Sequence, residues 1–265
     1  MPGKKAPQGK LHIGTAGWSV SRDHAEHFPA DGSHLERYGQ VFRCVEINSS
    51  FHRSHRRSTW ERWAATTPDG FRFSVKVPKR ITHEAKLRNA GALLLDFMQE
   101  IYGLNAGAEP KLGPLLVQLP PKLAFDEGMV HEFLSTLREL HTGAVAVEPR
   151  HASWFTGEAD RLLREFEAAR VAADPAKASP LAAEPAGDPS LRYWRLHGSP
   201  RTYYSNYEDD YLATLAERLL ADRKRLPGSD VWVIFDNTAL RHATANALYL
   251  QTALKDRAGR MVSSG

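Results

Sequence analysis

The 265-residue chain carries one cysteine, Cys44, and only four methionines. A lone cysteine excludes an intrachain disulfide and any zinc site built on paired cysteines. It fits a reducing setting, so a cytoplasmic location is expected. No apolar run approaches the roughly 20 residues that span a bilayer, so no membrane partner is expected. The opening "MPGKKAPQGK" has lysines but no hydrophobic stretch behind them. It reads as a disordered tail over residues 1–10 rather than a secretory signal. A glycine-rich phosphate fingerprint is missing too, since "GTAGWS" after the first strand-like run does not match GxGxxG, which counts against a doubly wound dinucleotide fold. Charge of one sign is scarce. Lys and Arg number 35 against 31 Asp and Glu, a net of +4, which leans toward anionic partners without establishing nucleic-acid binding.

What the sequence does contain is alternation. Short β-type runs stand at 11–17, 44–48, 71–77, 115–119, 145–148, 171–174, 193–197 and 231–236. Amphipathic stretches separate them. "SHLERYGQVF" opens with the capping box Ser33-x-x-Glu36 and "STWERWAAT" with Ser58-x-x-Glu61. Residues 86–104, 127–140, 157–170, 208–225 and 239–254 carry apolar residues at helical spacing. The sixth unit is irregular, because "PAKASPLAAEPAGDPS" reads as a loop or at most a short helix. Eight strand–helix alternations predict a single-domain (β/α)₈ TIM barrel over residues 11–254, with a C-terminal tail at 255–265.

Side chains alternate along a strand, so parity assigns faces. In "FRFSVKV", Phe71, Phe73, Val75 and Val77 face the helices, and Arg72, Ser74 and Lys76 face inward. In "VAVE", Ala146 and Glu148 face inward. "YWRLH" sends Tyr193, Arg195 and His197 inward, and "CVEIN" does the same with Cys44, Glu46 and Asn48. The inward polar residues cluster at the C-terminal strand ends, where barrel enzymes carry their active sites. Glu46, Asn48, Lys76, Gln118, Glu148, Arg150, Asp174, Arg195, His197 and Asp236 are therefore expected to converge. The bland alternative is a plug of salt bridges at the barrel mouth, but burying so many charges without a use is costly.

The pieces "IGTAGWSV", "VEINSSFH", "FRFSVKVPKRITH", "LVQLPPKLAFD", "VAVEPRHASWF", "YWRLHGSPRTYYSNY" and "VWVIFDN" resemble, in order, the YecE-like family, domain of unknown function 72. The resemblance covers roughly residues 11–254 and implies a TIM barrel, in agreement with parity. It assigns no established activity. A suggested likeness to endonuclease IV-type barrels makes a nucleic-acid role an analogy. Two departures stand out. The family's strand-8 ending resembles Phe-Asn-Asn, whereas this chain has Phe235-Asp236-Asn237. Many relatives have Phe-Tyr after strand 2, where this chain has Phe51-His52 followed by Arg53, His55, Arg56 and Arg57.

Three chemistries compete. Glu46, Glu148, Asp174, His197 and Asp236 are acceptable ligands for a divalent metal. Yet Lys76, Arg150 and Arg195 would repel a cation, so a metal cofactor is not favoured. An anionic ligand fits better: Lys76, Arg150 and Arg195 supply charge, with Gly198 after strand 7 and Asn237 capping the last helix as further phosphate contacts. Glu46, Lys76, Glu148 and His197 are the expected catalytic residues for proton transfer. Trp18, Phe51, His83, Trp154, Tyr203 and Tyr207 are expected at the rim, the aromatic ones stacking a base or sugar ring. Cys44 lies deeper and reads as packing. The leading expectation is an acid–base enzyme acting on an anionic, ring-bearing substrate, a phosphoester or nucleic-acid fragment. A non-catalytic nucleic-acid-binding barrel and a sugar hydrolase using Glu46 with Glu148 remain open.

Overall fold

Capping side chains and turn residues decide where each apolar run begins and ends. The computed structural model describes residues 8–263, with side chains through Arg257. Strand β1 (Leu11–Thr15) leads to α1 (His34–Val41), and β2 (Cys44–Ile47) leads to the short α2 (Ser49–His52) and to α3 (Arg57–Thr66). Next come β3 (Arg72–Lys76) and α4 (Gly91–Ile101), then β4 (Leu112–Gln118) and α5 (Glu127–Leu140). After β5 (Val145–Glu148) and α6 (Gly157–Glu165) the chain forms β6 (Ala168–Arg170), β7 (Ala172–Asp174) and β8 (Ala186–Gly187). It ends with β9 (Leu191–Leu196), α7 (Asp209–Arg225), β10 (Asp230–Phe235) and α8 (His242–Ser263).

This is a mixed α/β fold with two parallel sheets. One runs β1-β10-β9-β7, and the other β2-β3-β4-β5-β6-β8 with only β8 antiparallel. A parallel bridge between Ala16 and Glu46 joins β1 to β2. At the other junction, Val171 donates its N–H to the Val147 carbonyl at 2.9 Å. The segment therefore pairs with β5 through β6 and with β9 through β7. Among the described residues ten strands stand where eight were expected, because Ala168–Arg170, expected as the end of a helix, forms a strand ahead of the sixth run and Ala186–Gly187 adds another. Gly14 lets β1 approach β2 closely, since a Cβ there would sit 2.3 Å from the Cys44 carbonyl oxygen.

Several boundaries differ from expectation. The sixth strand starts at Ala168, so the helix expected over 157–170 stops at Glu165, and Glu167 turns the chain at φ +50°. The stretch 86–104 yields a helix only over Gly91–Ile101, followed by a 3₁₀ turn at Tyr102–Asn105. The Ser33–Glu36 capping box forms as expected. Ser58 does not cap α3, whose N-cap is Arg56 without a side-chain bond. Helix α8 begins three residues later than expected and continues through Ser263, so residues 255–263 are helical rather than tail. Of the expected N-terminal tail, Lys10 is tied down by its N–H to Asp230 at 2.7 Å. Residues 1–7 and 264–265 lie outside the described residues. No helix among the described residues is long and apolar enough to cross a membrane.

The core divides as parity requires. Phe71, Phe73, Val75, Val145, Val147 and Trp194 belong to the layer between strands and helices. Cys44, Leu116, Ala146, Tyr193, Trp232 and Ile234 form a separate inner cluster. Opposite faces of the same strands thus feed two apolar layers. The polar residues that follow on the inner face have nowhere to go but the C-terminal end.

Candidate functional site

Arg195 organises that end. It sits on β9, fully buried, and the inward parity of β9 aims it at three carboxylates. Its Nε and one terminal nitrogen donate to Glu46 at 3.0 and 2.6 Å. The other terminal nitrogen donates to Glu148 at 2.7 Å, and Asp236 receives a further bond at 3.0 Å. Four of the five guanidinium N–H groups are thereby used on charged acceptors. Glu46 also accepts from the Tyr193 hydroxyl at 2.9 Å, which in turn contacts Ser74 at 2.7 Å. Burial and the Glu46 charge push the Tyr193 phenol well above its usual range.

His197 lies one step nearer the surface, between two of the same carboxylates. Its Nδ1 is 3.0 Å from Asp236 and its Nε2 is 3.0 Å from Glu148. Both neighbours only accept when ionised, so each ring N–H of a protonated His197 has an acceptor, although Nε2 also lies 3.5 Å from a terminal nitrogen of Arg195. Burial opposes that charge, but the Glu148 carboxylate and the hydrogen bonds the ring gives to Asp236 and Glu148 outweigh it and raise the pKa above 6.5. Burial also works against the charged form of Glu148, yet Arg195, Arg150 and His197 hold it well below 4.5. Asp236 is likewise held below its ordinary value against burial, chiefly by Arg195. Glu148 is therefore an ionised acceptor rather than a proton donor.

Above this cluster stand the groups that face outward. Arg150 is partly exposed and reaches Glu148 through Nε and a terminal nitrogen at 3.3 and 3.2 Å. Gln118 donates to Glu148 at 2.9 Å. The Lys76 Nζ lies 4.2 Å from the centroid of the Phe51 ring, and that ring meets His83 edge-on at 5.0 Å. Burial, with the Arg195 charge behind it, lowers Lys76 to about 8. A cavity of about 420 Å³ opens over Glu148 and His197, lined by Arg150, Pro175, Lys177 and Thr202 among others, with Lys76, Phe51 and His83 outside its lining. Tyr203 stands beside it with its ring edge-on to His197 at 6.0 Å and a left-handed φ of +72°. Such backbone strain is found where surrounding structure over-determines a residue, often at functional sites.

Other expected residues are placed differently. Trp154 is buried and donates its Nε1–H to the Leu123 carbonyl at 2.9 Å, so it is a core residue and not a rim stacking surface. Tyr207 is also buried, and its hydroxyl bridges the Gly198 N–H and the Asp174 carboxylate at 2.9 and 2.8 Å. That contact occupies Gly198, which cannot offer its N–H to an anion, and draws the Asp174 carboxylate away from Arg195. Asn237 is buried and its side chain donates to Ser205 and Asn246 rather than capping α8, whose Ala243 N–H reaches the Asn237 main-chain carbonyl at 3.3 Å. Trp18 packs edge-on against Trp63 at 5.0 Å. Asn48 reaches Asp236 only at 3.5 Å. Arg195 is fully buried with four of its five N–H groups on carboxylates, so it presents nothing to a ligand in the cavity. Glu46 is sealed beneath it, which removes the geometry a Glu46–Glu148 sugar hydrolase needs. Among the described residues no group of three or more His, Cys, Asp or Glu is arranged to hold a metal ion. Lys177 and Thr202, joined at 2.6 Å, line the cavity although no sequence signal singled them out. They sit on irregular loops, where periodicity carries no information.

With this geometry in place, the comparisons with known proteins become informative. The sequence matches the family described as "Protein of unknown function DUF72" over residues 12–264. The chain belongs to the DUF72 family. It is 31% identical over 156 residues to UPF0759 protein YecE of Escherichia coli strain K12, covering 58% of this chain and 53% of that protein. UPF0759 protein YunF of Bacillus subtilis strain 168 is 26% identical over 155 residues, 55% of this chain and 52% of that protein. The chain thus spans about half the length of the curated relatives it matches. Among solved structures, a DUF72 family protein of Enterococcus faecalis superposes with a TM-score of 0.77 at 22% identity, covering 92% of this chain and 95% of that one. One from Thermotoga maritima superposes with a TM-score of 0.73 at 25% identity, covering 93% and 99%.

The charge arrangement predicts a stability window. Glu148 and Asp236 are depressed, so the stability they contribute is present above about pH 4.5 and lost as pH falls through their folded values. His197 is raised, so its contribution is full below 6.5 and lost as pH rises through its folded value. The difference in thermal midpoint between the native chain and His197→Gln should therefore be larger at pH 6 than at pH 9. An equal gap at both would mean that His197 is not held as an imidazolium.

Proposed function

We propose that this DUF72 protein is an enzyme using acid–base chemistry on an anionic, ring-bearing substrate, held in the cavity over His197 and Glu148. The reading takes the two sheets as one closed ring whose C-terminal mouth is the working face, joined at the Ala16–Glu46 bridge and at Val171. The observation that carries it is the His197 imidazolium clamped between Glu148 and Asp236 at the wall of a cavity that also presents Arg150. A substrate phosphate or carboxylate would take the free donors of Arg150, with Lys76 and Lys177 adding charge. His197 would give its Nε2 proton to the reacting group only by exchanging Glu148 for that group as acceptor, while Asp236 holds Nδ1 and keeps the ring in place. Tyr203, 40% exposed, is the aromatic face best placed for the substrate ring.

The first test is ligand binding. Calorimetric titration with inorganic phosphate and with nucleoside monophosphates should detect binding that weakens about tenfold or more in Arg150→Ala, since a charge-assisted contact is lost. Unchanged affinity in that variant would remove the anion-binding part of the reading. A second reading has its own observation: His52, Arg53, Arg56 and Arg57 are exposed between the last residue of α2 and the first of α3, beyond the C-terminal end of β2. That run suits a nucleic-acid backbone. Salt-dependent DNA or RNA binding that survives Glu148→Gln, with no turnover, would favour a binding protein over an enzyme.

A further inference from the structure

We infer that Lys76 is an amine nucleophile that forms a Schiff base with a substrate aldehyde or ketone bearing a phosphate or carboxylate. This rests on the anion-binding cavity proposed above and names the functional group that the site would attack. The buried cations among the described residues fall into two kinds, those with oxygen partners and one without. Lys111 is 7% exposed and gives its ammonium to the Ala64, Thr67 and Pro68 carbonyls. Arg170 and Arg192 are paired with Asp160 and Asp222, and Arg195 with three carboxylates. Lys76 is 8% exposed, yet among the described residues its Nζ has neither a hydrogen bond nor an ion pair, and it stands 4.2 Å from the centroid of the Phe51 ring. A structural role would place a carboxylate beside it. Here the nearby carboxylates are already committed to Arg195.

A lysine desolvated next to other cations is the recognised way to free an amine lone pair at neutral pH. Lowering to about 8 leaves a substantial uncharged fraction, which the geometry alone would require of a nucleophile. The chemistry balances without any co-reactant. The uncharged Nζ adds through its lone pair to the carbonyl carbon, and the C–O π bond opens to a hydroxyl as Nζ passes a proton to oxygen. Loss of water, made of that oxygen and the two amine hydrogens, leaves a C=N bond. Arg150 and Lys177 would hold the anionic tail of the same molecule, and the His197 imidazolium would serve the proton transfers that follow.

The test uses the full chain and one probe, glycolaldehyde phosphate, with sodium cyanoborohydride to reduce any imine and peptide mass spectrometry to locate it. At pH 7.5, Lys76 should be modified at least about tenfold faster than Lys177 or any other lysine, because its neutral fraction is far larger. Inorganic phosphate should slow that labelling. Labelling with no preference for Lys76, while phosphate still binds in an Arg150-dependent way, overturns the Schiff base and leaves the anion site standing. Preferred labelling of Lys76 that is equally fast with uncharged glycolaldehyde keeps the nucleophile and removes the anionic tail. Neither phosphate binding nor preferred labelling overturns both.

Discussion

Replacing Arg195 with methionine should destabilise the protein by about 3–5 kcal/mol, the scale for removing one partner from a buried ion cluster. The guanidinium is the shared counter-charge of Glu46, Glu148 and Asp236, at 2.6, 2.7 and 3.0 Å. Without it Glu46 would retain only the Tyr193 hydroxyl as a donor within the cluster. Glu148 and Asp236 would be left to His197, with Arg150 and Gln118 reaching Glu148 alone and Asn48 reaching Asp236 only weakly. Carboxylates uncovered in this way take up protons, so the loss should be smaller at pH 4 than at pH 7. Arg195→Lys restores a charge but not the fork, and should recover only part of the stability. Urea denaturation of the three proteins at both pH values measures this. A change below about 1 kcal/mol for the methionine variant would mean that Arg195 is not the hub.

The opposite sign is expected at Lys76. The residue is mostly buried and its ammonium has no hydrogen-bond or ion-pair partner among the described residues, and a lysine drawn from 10.5 down to about 8 costs the fold on the order of 1–3 kcal/mol while it is charged. Lys76→Met keeps the aliphatic stem over Phe51 and removes the charge, so the variant should be more stable than the native chain near pH 7. The gain is full below about pH 8 and shrinks as pH rises toward 10.5, because the unfolded lysine then loses its proton as well. Stabilisation on removing a residue is the pattern of a group kept for chemistry rather than for folding. Thermal denaturation at pH 7 and pH 10 checks the sign, and a destabilised methionine variant would show that Lys76 has a structural partner.

Much of this site was legible before any coordinates, for one physical reason: strand parity. Once Phe73, Val75, Val145 and Val147 were assigned to the helix side, Lys76, Glu148 and Arg195 had to lie on the inner face, and they do. The aspartate at 236, where the family resemblance leads one to expect asparagine, also turned out to matter, since it gives His197 its second carboxylate. What parity does not reveal is who pairs with whom. Arg195 and Arg150 look alike in sequence, yet one is saturated beneath the floor and the other stands at the opening. Aromatic residues beyond a strand end are equally ambiguous. Trp154 and Tyr207 turned inward because each found a buried hydrogen-bond partner, whereas Tyr203 stayed at the surface. The break at Val171 escaped the pattern because a strand passing from one neighbour to another keeps the same apolar composition throughout.

The charge state of His197 tests the whole arrangement most directly, because it depends on Glu148, Asp236 and Arg195 all standing where the fold puts them. Nitrogen NMR of the protein labelled with ¹⁵N-histidine, titrated from pH 5 to pH 9, reads both ring nitrogens at once. His197 should keep both protonated well past 6.5, and in Asp236→Asn the transition should move to lower pH. A His197 that loses its proton at or below 6.5 in the native chain would contradict the cluster, and with it the cavity chemistry built upon it.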